Sequence, residues 1–117
     1  MDEKILKWLF DIKLAIEEID GYFDGKQRDF SEYTRNIMLK RAIERNLEII
    51  GEAVSRISKE DSGIVDKITN ARSIIGLRNQ VIHAYDNISD ENIWSIITTH
   101  LPKLKEEVNE LIGNTID

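Results

Sequence analysis

Apolar residues recur at steps of three and four positions along most of this sequence, and that spacing constrains the fold more than any other feature. The first stripe of such residues is Ile5, Leu9, Ile12, Ile16, Ile19 and Phe23. Steps of three and four place all of them on one face of an α-helix. The spacing predicts a first helix that ends near Asp20 and Gly21, followed by a polar turn over residues 24–28.

A second stripe predicts the longest helix, which opens around Asp29 or Ser31 and runs for about 30 residues. Its members are Leu39, Ile43, Leu47, Ile50, Val54 and Ile57. A neighbouring stripe widens this apolar face with Ala42, Asn46, Ile49 and Ala53. The width leaves two alternatives open, which are burial inside the protomer's own helices and a seam between two copies of the chain.

The pattern breaks at residues 61–63, and the apolar residues Ile64, Val65 and Ile68 then suggest a short helix. A further helix is predicted from Ala71 or Arg72 through Tyr85, and residues 87–90 form the next turn.

Ser89 is placed to cap the last helix, with acidic residues in its first turn. The stripe of that helix is Trp94, Ile97, Leu101, Leu104, Val108 and Leu111. Pro102 lies within the stripe and cannot donate a backbone hydrogen bond to residue 98, so a kink or a break is expected there.

These helices predict an all-α fold, an antiparallel four-helix up-and-down bundle with a short extra helix. Residues 1–117 are expected to form one domain, because this length and 41% apolar residues suffice for a single modest core. A charged fraction of 32%, with one proline and six glycines, suits long solvated helices.

Composition excludes several kinds of chemistry. The chain has no cysteine, so disulfides, zinc fingers, thiolate nucleophiles and iron–sulfur sites are ruled out. Its charged N-terminus and the lack of any long apolar run predict a cytoplasmic protein. The net charge of −6 argues against a broad basic surface for nucleic acid. Any contact with RNA must therefore be confined to a cleft where a few arginines dominate.

One segment concentrates residue types that perform catalysis: Arg78, Asn79, His83 and Tyr85 lie within eight positions. On a helix, Asn79 and His83 are neighbours on one face, while Arg78 and Tyr85 share another face roughly 100–140° away. Arg78 points partly into apolar surroundings and needs a partner, for which Glu44 and Glu48 are candidates.

These residues suit the attack of a ribose 2′-hydroxyl on the adjacent phosphodiester, which needs neither a metal nor another cofactor. The unperturbed pKa of a histidine side chain, about 6.5, would let His83 serve as general base or acid near neutrality. Arg78 can pair with the phosphate and stabilise the charge that grows in the transition state, and Asn79 can orient His83 or donate to the phosphate.

Other candidates carry less chemistry. His100 is expected to pack or to hydrogen-bond at the kink, and two histidines without a clustered carboxylate make a poor metal site. Trp8 and Trp94 are predicted to be core or interface aromatics. The glutamates at positions 44, 48 and 52 are typical of a solvated helix face, although one of them could pair with Arg78.

Residues 74–85, IIGLRNQVIHAY, together with EIIGEA at 48–53 and LPKL at 101–104, closely resemble the HepT-like family of the HEPN superfamily. The resemblance extends from about Ile5 to Ile112. The family pattern is R-x-x-x-x-H-x-Y with a polar residue after the arginine, and Arg78, Asn79, His83 and Tyr85 match each element.

The resemblance implies a homodimeric, metal-independent endoribonuclease toxin, with Arg and His of both subunits facing one cleft. It also implies a partner, a minimal nucleotidyltransferase antitoxin of a type VII-like pair, which attaches AMP to the motif tyrosine. By resemblance that acceptor is Tyr85. The added negative charge and bulk would repel RNA from the cleft.

The sequence departs from its relatives after the histidine, where Asp86 follows Tyr85 and relatives often carry an aromatic residue. This places in question the shape of the groove beside Asp86. Two other readings stay open: a binding partner and substrate of a nucleotidyltransferase with little nuclease activity, and a segment that merely seals the bundle.

Overall fold

A computed structural model describes residues 2–23, 29–83 and 89–116, except the side chains of residues 78–83 and 115–116. The described residues contain helices and no strand, which confirms the all-α prediction. In chain order the helices are α1 (Glu3–Tyr22), α2 (Phe30–Arg35), α3 (Ile37–Glu60), α4 (Ser62–Val65), α5 (Ala71–His83), α6 (Asp90–Ser95), a π-helical turn (Ile96–His100) and α7 (Leu101–Ile116). The up-and-down order and the single domain stay predictions.

The first apolar stripe from Ile5 to Ile19 forms the buried face of α1, as predicted, and the helix ends at Tyr22, close to the expected position. Phe23, the last member of the stripe, follows the helix and is half-buried. Asp2 caps its start, because the carboxylate accepts a hydrogen bond from the backbone N–H of Lys4 at 2.8 Å. Leu9, Ile12 and Ile19 are fully buried. The predicted turn at residues 24–28 lies outside the described residues.

The prediction of one long second helix is wrong, because the chain breaks at Asn36 into α2 and α3. Asn36 adopts an extended backbone (φ −105°, ψ 94°), and its side chain accepts from the N–H of Leu39 at 3.0 Å. A short polar side chain that can satisfy the free N–H groups of a helix start competes with continued helix. Asp29 caps α2 in the same way through Ser31, at 2.9 Å.

Helix α3 packs against both α1 and α5, and its second stripe helps to make those contacts. Asn46 is only 3% exposed, and its amide donates to the Tyr22 hydroxyl at 2.9 Å. Ala53 is also buried within the protomer, and Ile49 is half-buried. Burial inside the protomer therefore accounts for Asn46 and Ala53, while a seam between copies stays a prediction.

The turn before α5 is tied to α7 by one carboxylate. The backbone N–H of Thr69 donates to the Glu107 carboxylate at 3.1 Å, and its hydroxyl donates at 2.6 Å. The predicted short helix occupies Ser62–Val65, and Ile68 is buried in the turn that follows. These contacts fix where α5 begins.

The last helical segment is not a uniform α-helix. Ser89 caps α6 as predicted, accepting from the N–H of Asn92 at 3.1 Å. A π-helical turn then precedes α7, whose second residue is Pro102. A wider turn beside a residue that cannot donate agrees with the expected irregularity at Pro102.

Aromatic side chains attach α6 to the rest of the molecule. Trp94 lies 5.8 Å from Phe23, 5.7 Å from Phe30 and 5.3 Å from Tyr33, measured between ring centroids. Trp8 and Trp94 are both half-buried against the core, as predicted. No helix among the described residues is long and apolar enough to cross a membrane.

Candidate active site

The predicted catalytic segment occupies the C-terminal half of α5. The backbone of Arg78, Asn79 and His83 is helical, as predicted, and His83 is the last residue of α5. Asn79 and His83, four residues apart, therefore share one helix face, and Arg78 lies on another. Tyr85 and Asp86 lie outside the described residues, so their roles stay predictions.

A surface cleft lies against the preceding turns of α5. Ser73, Gly76 and Leu77 form one side of it. The other side comes from α6 and the π-helical turn, with Asn92, Ser95, Ile96 and His100. The cleft has a volume of about 440 Å³, within the roughly 300–1,000 Å³ of ligand sites.

Helical register relates this cleft to the catalytic segment. His83 follows Gly76 by seven residues, almost two complete turns, so the two positions lie roughly 20° apart around the helix axis. Asn79 lies roughly 60° from Gly76. His83 therefore lies on the same side of α5 as Gly76. Asn79 lies roughly 120° from Ser73 and 160° from Leu77, and Arg78 lies roughly 140° from Ser73, so neither position is on the side that faces the cleft.

The glutamates considered as partners of Arg78 already pair with arginines of α3. Glu44 accepts from Arg41 at 2.9 Å, and Glu48 accepts from Arg45 at 3.3 Å. Both glutamates are less exposed than their arginines, so the series is not a fully solvated face. An additional contact with Arg78 stays a prediction.

An ion pair joins α3 to the start of α6, close in sequence to the predicted AMP acceptor. Lys40 Nζ lies 3.1 Å from the Asp90 carboxylate, and both side chains are mostly buried. Asp90 also acts on Tyr33, whose pKa is raised well above its usual value by burial first, then by the charges of Asp90 and Glu44. The hydroxyl of Tyr33 therefore stays protonated at neutral pH.

His100 is exposed and lines the cleft, so it is not packed in the core, which was one of the two roles expected for it. Among the side chains that the structure describes, no group of three His, Cys, Asp or Glu could hold a metal ion.

Sequence reasoning missed the cleft itself. Asn92, Ile96 and His100 are spaced four apart, as are Ser73 and Leu77, and this spacing places each set on one helical face. The spacing could have identified the two walls separately. Their meeting could not have been found, because it depends on how α6 packs.

Comparison with known proteins gives one family. The model of the family described as "Ribonuclease HepT-like" matches residues 12–111. "Putative RNase MJ1380" of Methanocaldococcus jannaschii is 34% identical over 103 residues, covering 86% of this chain and 90% of the relative. "Putative RNase TTE0752" of Caldanaerobacter subterraneus is 32% identical over 104 residues, covering 89% and 87%.

A third relative, "Probable ribonuclease HepT" of Thermococcus cleftensis, is 29% identical over 104 residues, covering 89% of this chain and 92% of the relative. No solved structure matches the chain. The family model spans most of the sequence and includes the whole segment from Arg78 to Tyr85. This chain therefore belongs to the ribonuclease HepT-like family.

Proposed function

We propose that this protein is a metal-independent endoribonuclease and the toxin of a toxin–antitoxin pair. The family match and the names of the relatives support the reaction class. The observation that carries the proposal is the helical position of His83, on the same side of α5 as Gly76, which lines an open cleft. An RNA strand can approach that side, because the cleft walls are largely exposed.

The reaction uses only groups of the substrate and of this chain. The 2′-oxygen of a ribose attacks the adjacent phosphorus and forms a 2′,3′-cyclic phosphate, while the bond from phosphorus to the 5′-oxygen breaks. His83 either takes the proton from the 2′-hydroxyl or supplies one to the leaving 5′-oxygen. The Arg78 guanidinium pairs with the phosphate oxygens, and Asn79 orients the imidazole or donates to phosphate.

A homodimer resolves the geometry of the segment. Arg78 lies on a different side of α5 from Asn79 and His83, so one helix cannot direct all three at the same phosphate. Two copies that face each other across a shared groove can combine Arg78 of one protomer with His83 of its partner. The proposed fold is thus an up-and-down HEPN bundle that dimerises next to α5.

Attachment of AMP to Tyr85 is the proposed way in which the ribonuclease is inhibited. A minimal nucleotidyltransferase would attach AMP to its hydroxyl, and the added phosphate charge would repel RNA from the adjacent cleft. A second candidate function, a substrate of that transferase with little nuclease activity, is favoured by the net charge of −6. In that case the unmodified protein binds its partner but leaves RNA intact.

The test measures cleavage of single-stranded RNA by the purified protein in EDTA, with Arg78→Ala, His83→Ala and Arg56→Ala variants. We expect cyclic-phosphate products from the wild type, and losses of about a hundredfold or more for the first two variants. Arg56→Ala is the matched control, because Arg56 pairs with Glu52 on α3 and is 54% exposed, so that its loss should leave cleavage unchanged.

Survival of cleavage in both Arg78→Ala and His83→Ala would refute the assignment. A wild type that cuts no RNA, yet gains the mass of AMP with the transferase and ATP, would support the second function. Tyr85→Phe should abolish that gain in mass.

A further inference from the structure

The cleft between α5 and α6 differs in charge from three other clefts of the molecule. None of the seven described residues that line it is acidic. Three other clefts each include a carboxylate: Asp29 and Glu32 line one, Asp66 another, and Asp11 and Glu52 a third. In a chain of net charge −6, the lack of an acidic side chain among these described residues favours the approach of a polyanion.

The chemistry of the lining matches a single nucleic-acid strand. Asn92, Ser95 and Ser73 offer amide and hydroxyl groups that can donate to phosphate or to base edges. Leu77 and Ile96 are half-buried and supply apolar surface for a base face. Gly76 is exposed, and a Cβ there would meet nothing within 4 Å, so the wall is open at that point.

The cleft also lies next to the turns of α5 that precede His83, the proposed catalytic histidine. The rise of an α-helix puts His83 on the order of 10 Å from Gly76 along the axis of α5. Position 83 lies on the same side of the helix as Gly76, which lines the cleft, and His100 lines the cleft directly.

We propose that this cleft binds the RNA strand next to the cleaved phosphodiester, with Asn92, Ser95 and His100 as positioning residues. This inference rests on the proposed ribonuclease function, since the ligand is the RNA substrate. These residues bind nucleotides adjacent to the reacting one. Their loss therefore raises KM and leaves kcat nearly unchanged.

The test compares two isosteric changes of equal charge, Asn92→Asp and Asn109→Asp. Asn92 lies in the first turn of α6, where an added carboxylate favours the helix N-terminus, so the fold should be retained. Asn109 is exposed on α7 and is absent from the cleft lining. Any difference between the variants therefore reports a local effect and not the overall charge.

The measurement is fluorescence anisotropy of the purified protein with a labelled, fully 2′-O-methylated single-stranded RNA, which cannot be cleaved through its 2′-oxygen. We expect Asn92→Asp to weaken binding about threefold to tenfold, and Asn109→Asp to stay within about twofold of the wild type. His100→Ala, which adds no charge, should weaken binding about threefold. Thermal melting verifies that each variant is folded.

Binding by Asn92→Asp and His100→Ala that equals binding by Asn109→Asp overturns the proposal. A changed oligomeric state of Asn92→Asp in light scattering, without weaker RNA binding, also overturns it, because the cleft is then a contact between copies. Failure of the ribonuclease proposal is distinguishable. If unmodified RNA is not cut but Asn92→Asp still binds the methylated RNA more weakly, the cleft inference stands and the ribonuclease assignment does not.

Discussion

Tyr33 gives a quantitative test of the packing that holds α6 in place. Its side chain is 1% exposed, with its ring centroid 6.4 Å from that of Phe30 and 5.3 Å from that of Trp94. Burial and the nearby charges of Asp90 and Glu44 raise the pKa of its hydroxyl. The perturbation is an increase in pH from 9 to 11, applied to the wild type and to Tyr33→Phe.

The sign follows from proton binding. The unfolded chain releases the tyrosine proton near its ordinary pKa of about 10, whereas the folded protein retains it. The contribution of Tyr33 to stability is thus fully present below pH 10 and is lost as the pH rises above that value. The lost free energy of unfolding is less than about 1 kcal/mol at pH 10 and reaches about 1–2 kcal/mol at pH 11.

The assay is urea unfolding of both proteins at pH 9, 10 and 11. The wild type should lose about 1–2 kcal/mol more than Tyr33→Phe between pH 9 and pH 11. Lysines deprotonate in both proteins, so their effect cancels in the difference. Parallel pH dependences of the two proteins would refute the reasoning and would mean that Tyr33 ionises in the folded state as easily as in the unfolded chain.

Two further predictions concern stability. Leu9→Ala should lower the free energy of unfolding by about 3–5 kcal/mol in urea denaturation, because Leu9 is fully buried. Leu14→Ala is the control, since that side chain is 54% exposed, and it should change the free energy by about 0.5 kcal/mol or less. Equal losses in the two variants would contradict the packing of α1. Lys40→Met should lower the free energy of unfolding by about 1–2 kcal/mol, because its ion pair with Asp90 is more buried than a surface pair and less buried than a core pair. A double-mutant cycle with Asp90→Asn should show a coupling energy above about 0.5 kcal/mol.

Local pattern predicted much of the fold. The stripes that include Ile12 and Ile57 are the buried faces of α1 and α3, because spacing along one helix is independent of what packs on it. Ser89 was recognised as a cap from its place before the acidic start of α6. The helical placement of Arg78 and His83 followed from the same local reasoning.

The spacing of apolar residues did not predict the structure where a side chain forms a hydrogen bond with the backbone, or where segments far apart in the chain meet. The break at Asn36 depends on the hydrogen bond that its side-chain oxygen accepts from the backbone N–H of Leu39, and the spacing of apolar residues carries no sign of that bond. The exposure of His100 depends on which residues pack around the π-helical turn. His100 lies far from α5 in sequence, so the sequence gave no indication that it lines the same cleft as Gly76.

The sequence by itself determined most of the helical segments and the order of Arg78, Asn79 and His83 on α5, since both depend on neighbours within a few residues. It also determined the family. Only the tertiary structure decided that Asn92 and His100 face Gly76 across a cleft whose described lining has no carboxylate. The physical reason is that packing between helices is set by many contacts that join residues far apart in the chain, and these contacts leave no period in the sequence.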